Sequence, residues 1–248
     1  MIIIKNDKEI DLMRIAGRIV AETLLLVEKE VKPGITTAEL DRIAEEFITK
    51  HGAKPSFKGL YGFPASLCIS VNEQVVHGIP GGYVLKEGDI ISVDCGANIN
   101  GFHGDAARTF AVGNISEEAK RLIKVTEESF FKGLEFAKVG NKLTDISHEI
   151  QRYVEVSGFS VVREFVGHGI GKSVHEDPEV PNFGRPGRGP KLVAGMALAI
   201  EPMVNMGTYR VATLGDDWTV VSADKSLSAH YENTVVILPD GPDRKSVV

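Results

Sequence analysis

Cysteine is scarce in this sequence, with only Cys68 and Cys95 among 248 residues. That excludes a disulfide scaffold and a zinc site built from cysteines. Positive charge is also short: Lys and Arg number 28 against 34 Asp and Glu, a net charge of −6. A broadly basic nucleic-acid footprint is therefore excluded. No apolar run approaches the ~18 residues of a membrane span. The amino end, Met1-Ile2-Ile3-Ile4-Lys5-Asn6-Asp7, has too short an apolar stretch for a signal peptide. What is present is ordinary globular composition, 43% apolar and 25% charged, which is neither disordered nor coiled-coil. The expectation is a soluble cytoplasmic chain, not attached to membrane and not requiring nucleic acid. At ~150 residues per domain, one large domain and two fused halves are both open.

Apolar periodicity predicts four helices. Over residues 7–29, Ile10, Met13, Gly17, Val20, Leu24 and Val27 share one face, with Asn6 and Glu9 placed as a capping box. A second helix begins near Thr36, with Glu39 as its reciprocal partner, and stops at Gly52. Residues 117–136 and 144–157 repeat the arrangement. An offset of 106 aligns Lys32 with Lys138, Gly34 with Gly140, Leu40 with Ile146, Phe47 with Tyr153 and Gly52 with Gly158. Glycines, apolar faces and helix ends match together, which argues for an internal duplication, about 7–112 and 113–238. Strands are expected at 66–72, 90–97, 102–112, 161–168, 196–204 and 229–238. Asn100-Gly101 marks a tight hairpin. Residues 181–190, rich in Pro and Gly, read as a loop, and 239–248 as a disordered tail. Helix pairs followed by antiparallel hairpins, twice, give an α+β fold with helices on one face of a curved sheet.

Four apolar segments each carry an acid: Asp94 after Ile90-Ile91-Ser92-Val93, Asp105 in Phe102-His103-Gly104-Asp105, Glu201 after Leu198-Ala199-Ile200, and Glu232 before Thr234-Val235-Val236. One such acid is ordinarily capped or salt-bridged. Four, with few bases beside them, need positive charge from elsewhere. If Asn100-Gly101 is a two-residue turn, facing residues sum to 201. Asp94 then faces Ala107 and Asp105 faces Gly96, which puts both aspartates on one sheet face as diagonal neighbours. Two carboxylates that close repel unless one is protonated or a cation lies between them. His168, between Gly167 and Gly169, adds a nitrogen, and the glycines are read as leaving room for a ligand. Two Asp, two Glu and one His suit Mn(II), Fe(II), Co(II) or Zn(II). Two divalent ions would balance the four carboxylates and could activate a water between them. Gly167-His168-Gly169-Ile170-Gly171-Lys172-Ser173 is not a phosphate loop, because Val166 stands where that motif needs glycine.

With these motifs in view, the chain resembles a type I methionine aminopeptidase of the pita-bread fold. The resemblance runs from about residue 2 to 238 through Val76-His77-Gly78-Ile79-Pro80, Gly88-Asp89-Ile90-Ile91-Ser92-Val93-Asp94, Gly101-Phe102-His103-Gly104-Asp105, Gly167-His168-Gly169-Ile170-Gly171, Val174-His175-Glu176, Ala199-Ile200-Glu201-Pro202 and His230-Tyr231-Glu232. It implies a single catalytic domain binding two divalent ions (Co, Mn, Fe or Zn). Asp94 would hold one ion, Asp105 and Glu232 would bridge both, and His168 with Glu201 would complete the other. It further implies that Glu201 moves the proton, that His175 steadies the carbonyl oxygen, and that His77 contacts the backbone beside the scissile bond. The methionine pocket would be lined by Phe57, Leu60, Phe63, Cys68, Val174 and Trp218, with Leu60 and Val174 where aromatic residues are common. Asn233 departs from a His often found after the last ligand. The substrates implied are N-terminal methionyl peptides and nascent chains at the ribosome, with a small second residue, acted on by a monomer. A proline-directed peptidase of the same fold would carry an extra amino-terminal domain. A non-catalytic relative would have lost ligands.

Overall fold

The computed structural model describes residues 1–243. It contains four α-helices: α1 (Asp7–Glu30), α2 (Thr37–Lys50), α3 (Glu117–Leu134) and α4 (Leu143–Val156). The strands before α3 are β1 (Lys54–Pro55), β2 (Leu67–Val71), β3 (Gln74–Val76), β4 (Ile90–Ile99) and β5 (Phe102–Ala111). After α4 come β6 (Ser160–Val161), β7 (Gly167–Gly169), β8 (Glu176–Val180), β9 (Ala197–Ile200) and β10 (Met203–Asn205). The last five are β11 (Val211–Thr213), β12 (Val220–Ser222), β13 (Ser228–His230), β14 (Glu232–Leu238) and β15 (Gly241–Pro242). None of the described helices is long and apolar enough to cross a membrane.

The four helices lie within two residues of the expected bounds, α3 ending at Leu134 and α4 running from Leu143 to Val156. Asn6 and Glu9 form the reciprocal capping box of α1, and the Thr36 hydroxyl accepts the Glu39 N–H at the start of α2. The two helix pairs repeat in detail. Gly34 and Gly140, with φ of 96° and 99°, both occupy the left-handed region. Gly34 N–H donates to Leu85 and Gly140 N–H to Leu192. Thr36 bridges Val84 while Lys142 bridges Lys191. Ala53 N–H closes on Ile48 as Phe159 N–H closes on Val154, each at 3.2 Å.

A curled nine-stranded sheet carries both pairs, in the order β1-β4-β5-β14-β9-β7-β8, with β2 beside β4 and β15 beside β14. Two three-stranded sheets, β13-β10-β6 and β11-β12-β3, flank it. The fold is the pita-bread half-barrel that the motifs imply. Apolar faces of α1 and α2 (Val20, Leu24, Leu40, Ile48) pack on Ile69, Ile91, Val93 and Cys95. Those around α3 and α4 (Phe130, Ile146, Ile150) pack on Leu198, Ile200, Val235 and Ile237.

Three strand expectations need correction. The 196–204 strand breaks between β9 and β10 at Glu201-Pro202, where proline has no N–H for the ladder. The 229–238 strand breaks at Tyr231, between β13 and β14. The 161–168 strand is two short pieces, β6 and β7, because each pairs with a different partner, β10 and β9. The expected tail is also partly wrong. Gly241-Pro242 pairs back onto Ile237-Leu238, and the Asp243 carboxylate accepts from Arg14 Nε at 2.8 Å. Residues 244–248 of that tail lie outside the described residues.

α1 crosses β5 at a glycine contact. A Cβ on Gly104 would fall 2.6 Å from Gly17 N and 2.9 Å from Ala16 C. Both are helix backbone and cannot swing away. Gly104→Ala is expected to cost about 1–3 kcal/mol, read as a lower urea midpoint at unchanged slope. An unchanged midpoint would mean that α1 is free to lift from the sheet.

Candidate metal centre

The sheet ladder itself gathers the acids. In an antiparallel pair, directly opposed residues point to the same face. Ala107 on β5 is opposed by Asp94 on β4 and by Glu232 on β14. Asp105 lies two residues from Ala107 on the same face and opposes Gly96, as the two-residue turn requires. Asn100 and Gly101 both have positive φ, 53° and 80°, as a type I′ turn needs. Asn233 opposes Ile200, so Glu201 emerges beside Glu232. Ala199 shares the face of Glu201 and opposes His168 on β7. Four side chains from four strands, and Glu201 from the residue just past β9, are therefore brought to one face of the sheet.

Their orientation is fixed by hydrogen bonds that leave the donor atoms free. The Thr234 hydroxyl accepts Asp105 N–H and donates to Asp105 C=O, each at 3.0 Å. The Asn182 amide donates to Glu201 C=O. His168 Nδ1 lies 2.9 Å from Gly169 C=O, which leaves Nε2 as the acceptor, 3.6 Å from Glu201 Oε1. Asp94 Oδ1, Asp105 Oδ1, Glu232 Oε1 and His230 Nε2 are buried without a hydrogen-bond partner among the described residues. Ligand atoms of Asp105, His168 and Glu232 lie within 4.8 Å of one another, as do those of Glu201, His230 and Glu232. Orphaned buried acceptors are costly, and this donor set fits divalent cations.

Burial works against the charges. It pushes the Asp94 carboxyl up to about 7, despite hydrogen bonds from Asp105 and the Cys95 N–H that pull it down. Burial and then Asp94 raise Asp105 and Glu201 well above the carboxylate range. Burial and then Asp105 do the same for Glu232. Burial followed by the nearby His175 lowers His168 to about 4 and His77 to about 4, so both are neutral at pH 7. A neutral imidazole is the form that binds metal.

The cluster forms the floor of an open cleft of about 740 Å³. Phe57, Leu60, Phe63, Cys68 and Trp218 line it together with His77 and His175. Val174 packs into the same apolar cluster behind that lining. Trp218 meets Phe63 edge-on at 5.1 Å, and His77 meets Phe165 edge-on at 5.5 Å. His175 stands perpendicular to His168, ring centres 4.5 Å apart. The loop carrying His175 is tied down by Glu176, which accepts from Lys172 and Ser173 N–H and pairs with the buried Lys5 at 2.5 Å.

Some features escaped the sequence reading. Gly167 and Gly169 do not make room for a ligand. A Cβ on either would strike strand backbone, Ala199 C=O at 2.3 Å and Asp177 C=O at 2.1 Å. Glycine here permits close strand packing around His168. Tyr61, in the left-handed region with φ 51°, stacks on His175 at 5.7 Å, and no local pattern announces it. His230 carries one sequence signal: it stands two residues before Glu232 within the expected 229–238 strand.

The chain matches metallopeptidase family M24 over residues 11–239. It is 77% identical over 243 residues to the methionine aminopeptidase of Clostridium perfringens, covering 98% of each chain. It superposes on the crystal structure of methionine aminopeptidase from Rickettsia prowazekii with TM-score 0.97 at 43% identity, again over 98% of both chains. The prolidase of Pyrococcus horikoshii shares the fold at TM-score 0.81 and 24% identity, but only 63% of that chain is covered, against 98% of this one. At these identities and lengths, the chain belongs to metallopeptidase family M24 and, within it, to the methionine aminopeptidases.

Proposed function

We propose that the protein removes the initiator methionine from new chains by metal-dependent hydrolysis of the first peptide bond, favouring a small second residue. The observation that carries this is the convergence of Asp94, Asp105, His168, Glu201 and Glu232 beneath a cleft walled by Phe57, Leu60, Phe63, Cys68 and Trp218. Those five side chains would hold two divalent ions, drawn from Co, Mn, Fe or Zn. When bound, the ions supply Lewis-acid activation of water and of the scissile carbonyl.

The chain's own groups do the rest. Glu201, whose carboxyl is raised by burial, takes the proton from the attacking water and returns it to the leaving nitrogen. His175, its imidazole lowered by partial desolvation in the cleft, donates a hydrogen bond to the carbonyl oxygen as it gains charge. His77 contacts the backbone beside the scissile bond. The apolar wall, with Val174 behind it, holds the thioether. The whole chain acts as one catalytic domain built by internal duplication, as a cytoplasmic monomer serving nascent chains at the ribosome.

Chelated protein given Mn(II) or Co(II) is expected to cleave Met-Ala-Ser far faster than Met-Leu-Ser, and not to cleave Leu-Pro. No turnover of Met-Ala-Ser with any divalent ion would reject the reading. Preferential cleavage of Leu-Pro would move the protein to the proline-directed branch.

A further inference from the structure

We propose that His230 is a donor in the metal-holding set, its Nε2 giving the ion held by His168, Glu201 and Glu232 a second imidazole nitrogen. The inference rests on the metal centre proposed above and adds a residue to it. His230 is 2% exposed, and its Nε2 has no hydrogen-bond partner among the described residues. That atom lies 3.9 Å from Glu201 Oε2 and 3.9 Å from Glu232 Oε2. Both separations are too long for hydrogen bonds. They suit two donors on one ion, since atoms each about 2.0–2.2 Å from a shared metal lie at most about 4.4 Å apart.

The backbone holds this aim. His230 N–H donates to the Thr109 hydroxyl, which in turn donates to His230 C=O, each at 2.9 Å. On the other side His230 pairs with Met203 in the β10–β13 ladder. The ring is thus set between two strands and faces Glu201, whose Oε1 is directed to His168 and whose Oε2 is directed to His230. Glu232 belongs to both three-residue groups, one with Asp105 and His168, the other with Glu201 and His230.

The test counts imidazole nitrogens in the intact protein. Pulsed EPR of the chelated chain given one equivalent of Mn(II), with natural and ¹⁵N-labelled histidine, is expected to show coupling to two imidazole nitrogens. His168→Ala and His230→Ala should each remove one coupling. His230→Ala should also weaken the first Mn(II) equivalent at least about 10-fold by calorimetry. A single coupling in the wild-type protein, lost only with His168→Ala, would overturn the assignment of His230 and leave the metal centre standing. No nitrogen coupling and no Mn(II) binding in the wild-type protein would overturn the metal centre itself. The wild-type count decides the matter even if a variant fails to fold.

Discussion

Asp105→Asn should abolish turnover and, at the same time, make the metal-free protein more resistant to urea. Asp105 is buried, and burial followed by the charges of Asp94 and Glu201 raises its carboxyl well above the usual range. Without a cation, an ionised Asp105 opposes folding. Asparagine keeps the shape and drops the charge. Its N–H and C=O still meet the Thr234 hydroxyl, so the strand is not disturbed. The chelated variant should therefore gain stability at pH 8, read as a higher urea midpoint at unchanged slope. The loaded wild-type protein has the opposite need. A neutral amide would be a weak substitute for a carboxylate that holds a divalent cation, and turnover should fall by at least about 10²-fold. Full activity in the variant would remove Asp105 from the site. A destabilised metal-free variant would mean that the carboxylate is satisfied by protein groups alone.

The parts of this fold that were readable are those set by neighbours in sequence. Helix faces and caps are local, so apolar spacing, with Asn6 and Thr36 at two of the starts, marks all four helices. The Asn100-Gly101 turn is local too, and a two-residue turn fixes every facing pair in the hairpin. That is why the placement of Asp94 and Asp105 on one face could be worked out from residue numbers alone. The short strands β3, β8, β11 and β12 were not foreseen. Each has five residues or fewer, too little length to show a period; β3 and β12 pair across most of the chain, while β8 and β11 close on the nearby β7 and β12. Pro202 was the missed clue for the break after Glu201. The tail to Asp243 is ordered by Arg14, more than two hundred residues away.

The site divides along the same line. A carboxylate in an apolar strand is conspicuous, so the four acids stood out without any structure. Histidines are ambiguous in sequence, and nothing local sets His230 apart from a buried structural histidine. The wall of the cleft was reached only through family resemblance, because Phe57, Phe63 and Cys68 look like ordinary core residues. Val174 illustrates the limit: it belongs to the right cluster but lies behind the lining. The glycines flanking His168 read in sequence as ligand space, whereas strand backbones occupy the space a Cβ would need.

Between pH 6.5 and 8, the melting temperature of chelated protein should fall, and that of Mn(II)-loaded protein should not. The carboxyls of Asp94, Asp105, Glu201 and Glu232 are all raised by burial, Asp94 to about 7 and the other three well above the usual carboxylate range. In the unfolded chain they ionise near 4. The folded protein therefore binds more protons above that value, and rising pH favours unfolding. This stability is fully present below the unfolded values and is lost as pH rises through the folded ones. The buried histidines pull the other way at lower pH. His77 and His168 are lowered to about 4 and His230 to about 3. Their unfolded forms take up protons below about 6.5, so they add stability as pH climbs towards that point. Above it they are neutral in both states, and the carboxylates alone set the slope. A bound cation holds those carboxylates ionised and removes their resistance to deprotonation. At a hundred times its dissociation constant it adds about 2.7 kcal/mol, roughly 5–10 °C for a chain of this length, with the gap widening towards pH 8. A flat melting curve for chelated protein across this window would show that the acids are ionised without metal, and the electrostatic case for a cation at this cluster would fail.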